Sequence, residues 1–215
     1  MNEHRNVLLE SQLLAVREQI DCLATVTDNN LRAILHWLVT HETRALHSSA
    51  EAAKSANNQC TRILALHTPF GNDLRFTLAA IRIIQDYEHL DQLIQSLGRR
   101  ITRCAHTSAA RFLPTFTTTL LGVVDTHAAV RESLHLPNDF SQLNLRIKGL
   151  TAATEAGIDS VQTEIMAIML QDENQTDELF ELILACRNLG QMSELLESIP
   201  EEFCTFAAVQ DTKAA

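Results

Sequence analysis

The stretch from Phe76 to Ile101, FTLAAIRIIQDYEHLDQLIQSLGRRI, decides the fold class of this chain. Apolar residues recur along it at alternating steps of four and three, which places them on one face of an α-helix. Such a pattern, sustained over nearly four heptads, is typical of a helix packed in a bundle. The apolar seam consists of Phe76, Ala80, Ile83, Tyr87, Leu90, Ile94, Leu97 and Ile101. The sequence therefore predicts a long, buried bundle helix here.

Upstream of this helix the same periodicity predicts two more helical regions. Residues 5–24 carry an apolar stripe that resumes after TVTDNN (25–30), so this region is either one long helix or two helices with a joint. A second helix is expected over about 41–67, because Pro69 forbids continuation. Asn72 and Asp73 then supply the start of the third.

Downstream, three further helices are expected. The fourth covers about 109–134 and stops before Pro137, and Asn138-Asp139 caps the fifth. Residues 171–177 (QDENQTD) are typical of a polar loop, after which the sixth helix is expected to end by Pro200. The fold class predicted is all-α, as two tandem three-helix bundles. The expected units are 1–106 and 107–206, followed by a flexible tail over 207–215.

Composition narrows the possible functions. Among 215 residues there are only 6 Gly and 4 Pro, which disfavours β-sandwiches and barrels. The net charge of −10 disfavours binding to nucleic acid or to an anionic membrane surface. The sequence has no apolar run of the ~18–20 residues that a membrane span needs, and its first residues do not resemble a signal peptide. We therefore expect a cytoplasmic protein with no direct membrane insertion.

One segment resembles a known family. RILALHTPFGNDLRFTLAAIRIIQDYE, residues 62–88, resembles the PhoU family, whose members read L-A-L-R-Q-P, then D-L-R, then an apolar helix ending in a D-L-E-R-I-G-D-like segment. Arg187-Asn188-Leu189 is similar to the R-N-L-E-R-I-A-D-H segment of the second half of that family. The matching positions are Leu64-Ala65-Leu66, Pro69, Asp73-Leu74-Arg75, Ala79-Ala80-Ile81, Arg82-Ile83, Asp86 and Glu88.

The resemblance implies a non-enzymatic accessory protein of a phosphate transport system. Such proteins connect an ABC phosphate transporter ATPase to a sensor histidine kinase and restrain phosphate-starvation signalling when phosphate is plentiful. The resemblance also implies two related three-helix bundles, frequent homodimers and, in some relatives, iron or zinc clusters on the surface. An alternative with the same fold is a divergent accessory protein of another transporter.

The metal-binding pattern of that family is incomplete in this chain. Its motif is an acid followed four residues later by Asp, but Glu88 has Gln92 at that spacing and Asp91 one position earlier. Two carboxylates alone hold a cation weakly. Glu88 and Asp91 are therefore the candidate metal ligands, with iron or zinc as the candidate cofactor, and ordinary solvated acids as the alternative interpretation.

The remaining candidates are charged residues around the start of the third helix. Asp73, Arg75 and Arg82 are the candidate partner-binding residues. Asp73 alternatively favours the positive end of the helix dipole, and the two arginines alternatively reach neighbouring helices.

No known catalytic motif is present in the sequence, so we predict that the chain is not an enzyme. One E-x-x-H, Glu132 to His135, leaves a ferritin-like metal-binding bundle as a remote alternative, because such a centre needs two copies and further acids.

Overall fold

The computed structural model describes residues 2–42, 44–104, 107–135, 140–171 and 176–207. These residues form six α-helices and one 3-10 helix, which confirms the all-α fold class. The helices are α1 (Asn2–Thr40), α2 (Ala50–His67), α3 (Asn72–Cys104), α4 (Leu113–His135), α5 (Phe140–Met169) and α6 (Thr176–Ala207), and the 3-10 helix (Ser108–Phe112) precedes α4.

The first helix is continuous through TVTDNN, which settles the alternative of one helix or two. The polar residues in this stretch are used for contacts rather than for a break. Thr27 and Asn30 face the interior, and Arg32 Nε donates to Asp28 Oδ2 one turn earlier at 2.8 Å. The Asn30 side chain makes a long-range contact, because it binds the backbone of His47, 17 positions away.

The prediction that α2 begins at 41 was wrong, because the helix begins at Ala50. His41 adopts a left-handed conformation (φ 60°) at the end of α1, and described residues up to Ser49 are not helical. The Asn30 side chain binds both backbone groups of His47, donating to the carbonyl at 2.7 Å and accepting from the amide at 2.9 Å. These bonds satisfy backbone groups that a helix would otherwise have paired. The predicted end before Pro69 is confirmed, with Thr68 left-handed (φ 44°).

The third helix is the centre of the molecule. All eight residues of its seam are buried, as the periodicity predicts. It contacts α1 and α2 on one side and makes its most extensive contact with α6. Burial of such large side chains stabilises the fold by roughly 1.5–3 kcal/mol each.

The second half follows the predicted order with three differences at helix ends. Residues 108–112 form a 3-10 turn, in which the Thr107 side chain accepts from the Ala109 amide, before α4 begins. The sixth helix starts at Thr176, inside the predicted loop, and passes through Pro200 instead of ending there. Pro200 lacks an amide hydrogen, but it is buried, and packing there outweighs the lost hydrogen bond. Asn138-Asp139, 172–175 and the tail after 207 lie outside the described residues.

The two groups of three helices share one core. Helices α1–α3 pack on one another, as do α4–α6, and α1–α4 and α3–α6 contacts join the groups. Buried apolar residues form a single cluster through both. The boundary between 106 and 107 falls beside residues that the structure does not describe, so it stays a prediction.

Candidate functional site

Asp73 and Arg75 lie in the first turn of α3, directly after the turn that joins α2 to α3, and both are exposed. The turn is formed by left-handed Thr68 and Gly71 (φ 61°), and the Gly71 carbonyl accepts from the Arg75 amide at 3.2 Å. Phe70 projects from the same turn and is 91% exposed. Aromatic and arginine side chains are enriched at protein interfaces, so exposed Phe70 beside exposed Arg75 makes this turn a candidate docking surface. Their role in partner binding stays a prediction.

Arg82 crosses the surface from α3 to α6. Its guanidinium donates to both carboxylate oxygens of Glu202 at 2.8 Å. The Arg82 side chain is largely exposed, so solvent screens the pair and its contribution to stability is small. This ion pair joins the two halves of the molecule and shows which neighbouring helix the arginine reaches.

The two predicted metal ligands differ in their surroundings. Glu88 is half-buried, whereas Asp91 is only 5% exposed. Asp91 Oδ2 accepts hydrogen bonds from Ser48 Oγ at 3.1 Å and from the Ser49 amide at 3.2 Å. One of the two carboxylates is therefore already bound to the segment before α2. Within the described ranges, no three His, Cys, Asp or Glu side chains cluster as metal ligands would. Iron or zinc at Glu88 and Asp91 stays a prediction.

The single E-x-x-H motif does not bring its two side chains to one partner. Glu132 accepts from Arg146 of α5 at 3.1 Å. His135 Nε2 lies 3.0 Å from Asp21 Oδ1 of α1. The two residues therefore contact different helices.

A groove that was not predicted from the sequence lies between α1, α3 and residues 44–46. Its volume is about 430 Å³. Three arginines line it from two parts of the chain, above an apolar floor. The lining residues are Ala33, Ile34, Trp37, Arg44, Leu46, Gln95, Gly98, Arg99, Ile101, Thr102 and Arg103. The position of Arg44 follows from the late start of α2, so the helix predicted over 41–67 could not reveal it.

The arginines of the groove are not equally paired. Arg103 donates to Glu181 of α6 at 3.1 Å. Arg44 and Arg99 are both exposed, and neither has an ion-pair or hydrogen-bond partner in the part of the chain that the structure describes. The groove thus carries two uncompensated positive charges in a chain of net charge −10.

A second unpredicted feature is a buried histidine at the contact between the halves. His127 of α4 is 0% exposed, its Nδ1 is 3.8 Å from Asp28 Oδ1, and its ring meets Tyr87 edge-on at 6.0 Å. Burial lowers the pKa of His127, against the opposing effect of Asp28. His127 and the closer Arg32 guanidinium hold the pKa of Asp28 well below its usual range. The imidazole is therefore held neutral in the core.

No helix among the described residues is long and apolar enough to cross a membrane.

No family model matches the chain, and no curated protein matches it significantly. Among solved structures, it is similar to the crystal structure of PhoU from Pseudomonas aeruginosa, with a TM-score of 0.69 and 16% sequence identity. The match covers 97% of this chain and 99% of that one. At this identity the likeness establishes the fold, and it extends over nearly the whole length of both proteins. The chain therefore has a PhoU-like all-α fold.

Proposed function

We propose that this protein is a PhoU-like regulator of phosphate uptake and phosphate-starvation signalling. It acts in the cytoplasm, without catalysis, by contact with an ABC phosphate transporter ATPase and a sensor histidine kinase. The observation that carries the proposal is the match to PhoU over 97% of the chain. The D-L-R motif at 73–75 supports it, because its two charged residues are exposed at the start of α3.

The turn between α2 and α3 is the proposed contact surface. Phe70 supplies an apolar anchor, and Asp73 and Arg75 supply charges that orient a partner. A few aromatic and arginine residues carry most of the binding energy at protein interfaces. A regulator of this kind shifts the conformational populations of its partners by binding one conformation more tightly.

Binding to purified partners tests the proposal. The tagged protein is incubated with a phosphate transporter ATPase and with the cytoplasmic part of a sensor histidine kinase from the same cell, at high phosphate. We expect both to bind, and Phe70→Ser with Arg75→Ala to weaken binding about tenfold or more. Arg187→Ala, which removes an exposed arginine of α6, is the matched control. Failure of both partners to bind the unmodified protein would overturn the proposal.

The alternative, a divergent accessory protein of another transporter, makes a different prediction in the same assay. It expects the ATPase of another transporter to be bound in preference to the phosphate transporter ATPase. Size-exclusion chromatography with light scattering checks the homodimer that the resemblance implies, and elemental analysis after native purification checks for iron or zinc.

A further inference from the structure

The groove between α1 and α3 has an apolar floor with a defined shape. Ile34 and Ile101 are buried, whereas Trp37 and Leu46 are half-buried and form its walls. Gly98 lies between them: a methyl group placed there would come within 2.8 Å of Leu46 Cδ1. The depth of the groove therefore depends on a residue without a side chain at this position of α3.

The charged residues that line the groove are all positive. Arg44, Arg99 and Arg103 are its ionisable residues, with no acid among the residues that line it. Glu181 pairs with Arg103, which leaves Arg44 and Arg99 uncompensated. Gln95 adds a neutral residue to the lining. Exposed, unpaired guanidinium groups beside apolar surface are complementary to an anion that carries an apolar group.

We propose that this groove binds a small anionic amphiphile. A phosphate, sulfate or carboxylate head is held by Arg44 and Arg99, and an alkyl or aryl body covers Ile34, Trp37 and Leu46. The volume of about 430 Å³ lies within the roughly 300–1,000 Å³ typical of small-molecule sites. This binding site is separate from the α2–α3 turn, and the proposal does not depend on the proposed function.

Tryptophan fluorescence can report binding at this site, because Trp37 lines the groove and is the sole tryptophan of the chain. Octyl phosphate, added at concentrations below micelle formation, is the probe. We expect saturable changes in Trp37 emission, with octanoate acting similarly. Three control compounds should each bind at least about tenfold more weakly than octyl phosphate. They are octanol, which lacks the charge; inorganic phosphate, which lacks the alkyl chain; and octyltrimethylammonium, which has the opposite charge. Equal binding of octanol and octyl phosphate would overturn the proposal.

Two kinds of variant locate the bound probe. Replacing both free guanidinium groups, in Arg44→Gln with Arg99→Gln, should weaken octyl phosphate binding about tenfold or more. The matched control, Arg62→Gln with Arg187→Gln, removes the same charge from exposed positions of α2 and α6 and should bind as the unmodified protein does. Equal weakening in both double variants would contradict the proposal, because only net charge would then matter.

Filling the groove is the second test. Gly98→Leu should remove binding of octyl phosphate while circular dichroism and thermal unfolding show a folded protein. Unchanged affinity in the folded Gly98→Leu variant would place the probe elsewhere and overturn the proposal. If this variant does not fold, the arginine pair and its control decide the question, because all four arginines change at the surface.

Discussion

The two halves of this molecule repeat the order of three helices but are held together by different means. In the first half, polar side chains bind the non-helical segment between α1 and α2: Asn30 binds His47, and Asp91 binds Ser48 and Ser49. In the second half, α4 and α5 approach closely where a glycine of one faces a threonine of the other. These pairs are Gly122 with Thr154 and Gly157 with Thr119.

This difference between the two halves follows from the non-helical segment that connects α1 to α2. A non-helical segment that packs against a core must have partners for its buried backbone groups, whereas helices satisfy most of their own. The first half therefore needs polar side chains at fixed positions on α1 and α3. The same segment supplies Arg44 and Leu46 to the groove, so its attachment is also a condition for the proposed binding site.

Removing the Asp91 carboxylate is the test with the largest expected effect. In Asp91→Ala the Ser49 amide and the Ser48 hydroxyl lose their buried acceptor, and we expect the free energy of unfolding to fall by about 2–3 kcal/mol. Asp91→Asn keeps one acceptor oxygen and should lose only about 1 kcal/mol. Urea unfolding measures both values. Equal stability of Asp91→Ala and the unmodified protein would show that the segment is held by other contacts.

The helices that sequence analysis predicted best are those whose pattern repeats over many turns. All eight seam residues of α3 are buried as predicted, because a long amphipathic pattern has only one orientation that buries its apolar face. Local sequence signals were less informative about where the helices begin and end. The α2 start was wrong since Asn30 and Asp91, distant in sequence, hold residues 47–49, and the α6 end was wrong since packing at Pro200 outweighs its missing donor.

The groove and the buried histidine were not predicted because each depends on residues far apart in the sequence. Arg44 and Arg99 face one groove only because α1 ends at Thr40 and the chain then returns across α3. His127 and Asp28 are 99 positions apart by their numbers and meet where α4 packs on α1. Neither pair belongs to a local sequence motif that could have indicated the contact. Asp73 and Arg75 could be proposed from the sequence because the family motif that contains them is contiguous, and their role stays a prediction.

A methyl group at Gly122 tests the close packing of the second half. It would overlap Thr154 Oγ1, and Thr154 is buried with its hydroxyl donating to the Leu150 carbonyl at 2.9 Å. Such overpacking costs about 1–3 kcal/mol, and a gain in helix propensity of about 1 kcal/mol offsets part of it, so Gly122→Ala should be destabilised by up to about 2 kcal/mol in urea. Gly149→Ala, in open space on α5, is the control and should be stabilised by up to about 1 kcal/mol.

The pH dependence of stability tests the contact between the halves. Because burial lowers the pKa of His127 below its ordinary 6.5, the unfolded chain takes up a proton that the folded protein excludes, and stability falls as the pH drops below about 6.5. For a single group this costs at most about 1 kcal/mol between pH 6.5 and 5.5. Asp28, whose pKa is lowered by His127 and Arg32, loses its stabilising charge only at much lower pH, outside this window.

His127→Gln separates that titration from packing. The difference between the variant and the unmodified protein at pH 8 measures the packing that is lost. Between pH 6.5 and 5.5, unfolding in urea should show a shallower decline for His127→Gln than for the unmodified protein. Parallel curves over that range would mean that His127 becomes protonated in the folded state.

A methyl group at Gly98 has the smallest expected effect and compares the two halves most directly. As at Gly122, an added methyl meets a side chain of a neighbouring element, here Leu46 Cδ1 at 2.8 Å. Leu46, however, is half-buried on the non-helical segment, and the end of a leucine changes rotamer at a cost of only about 0.5–1.5 kcal/mol. The gain in helix propensity of about 1 kcal/mol offsets this cost. The free energy of unfolding of Gly98→Ala in urea should therefore stay within about 0.5 kcal/mol of that of the unmodified protein. The contact in the first half yields to the added methyl group, whereas the contact in the second half is rigid. A loss as large as that of Gly122→Ala would mean that the segment holding Leu46 is packed as tightly as α5.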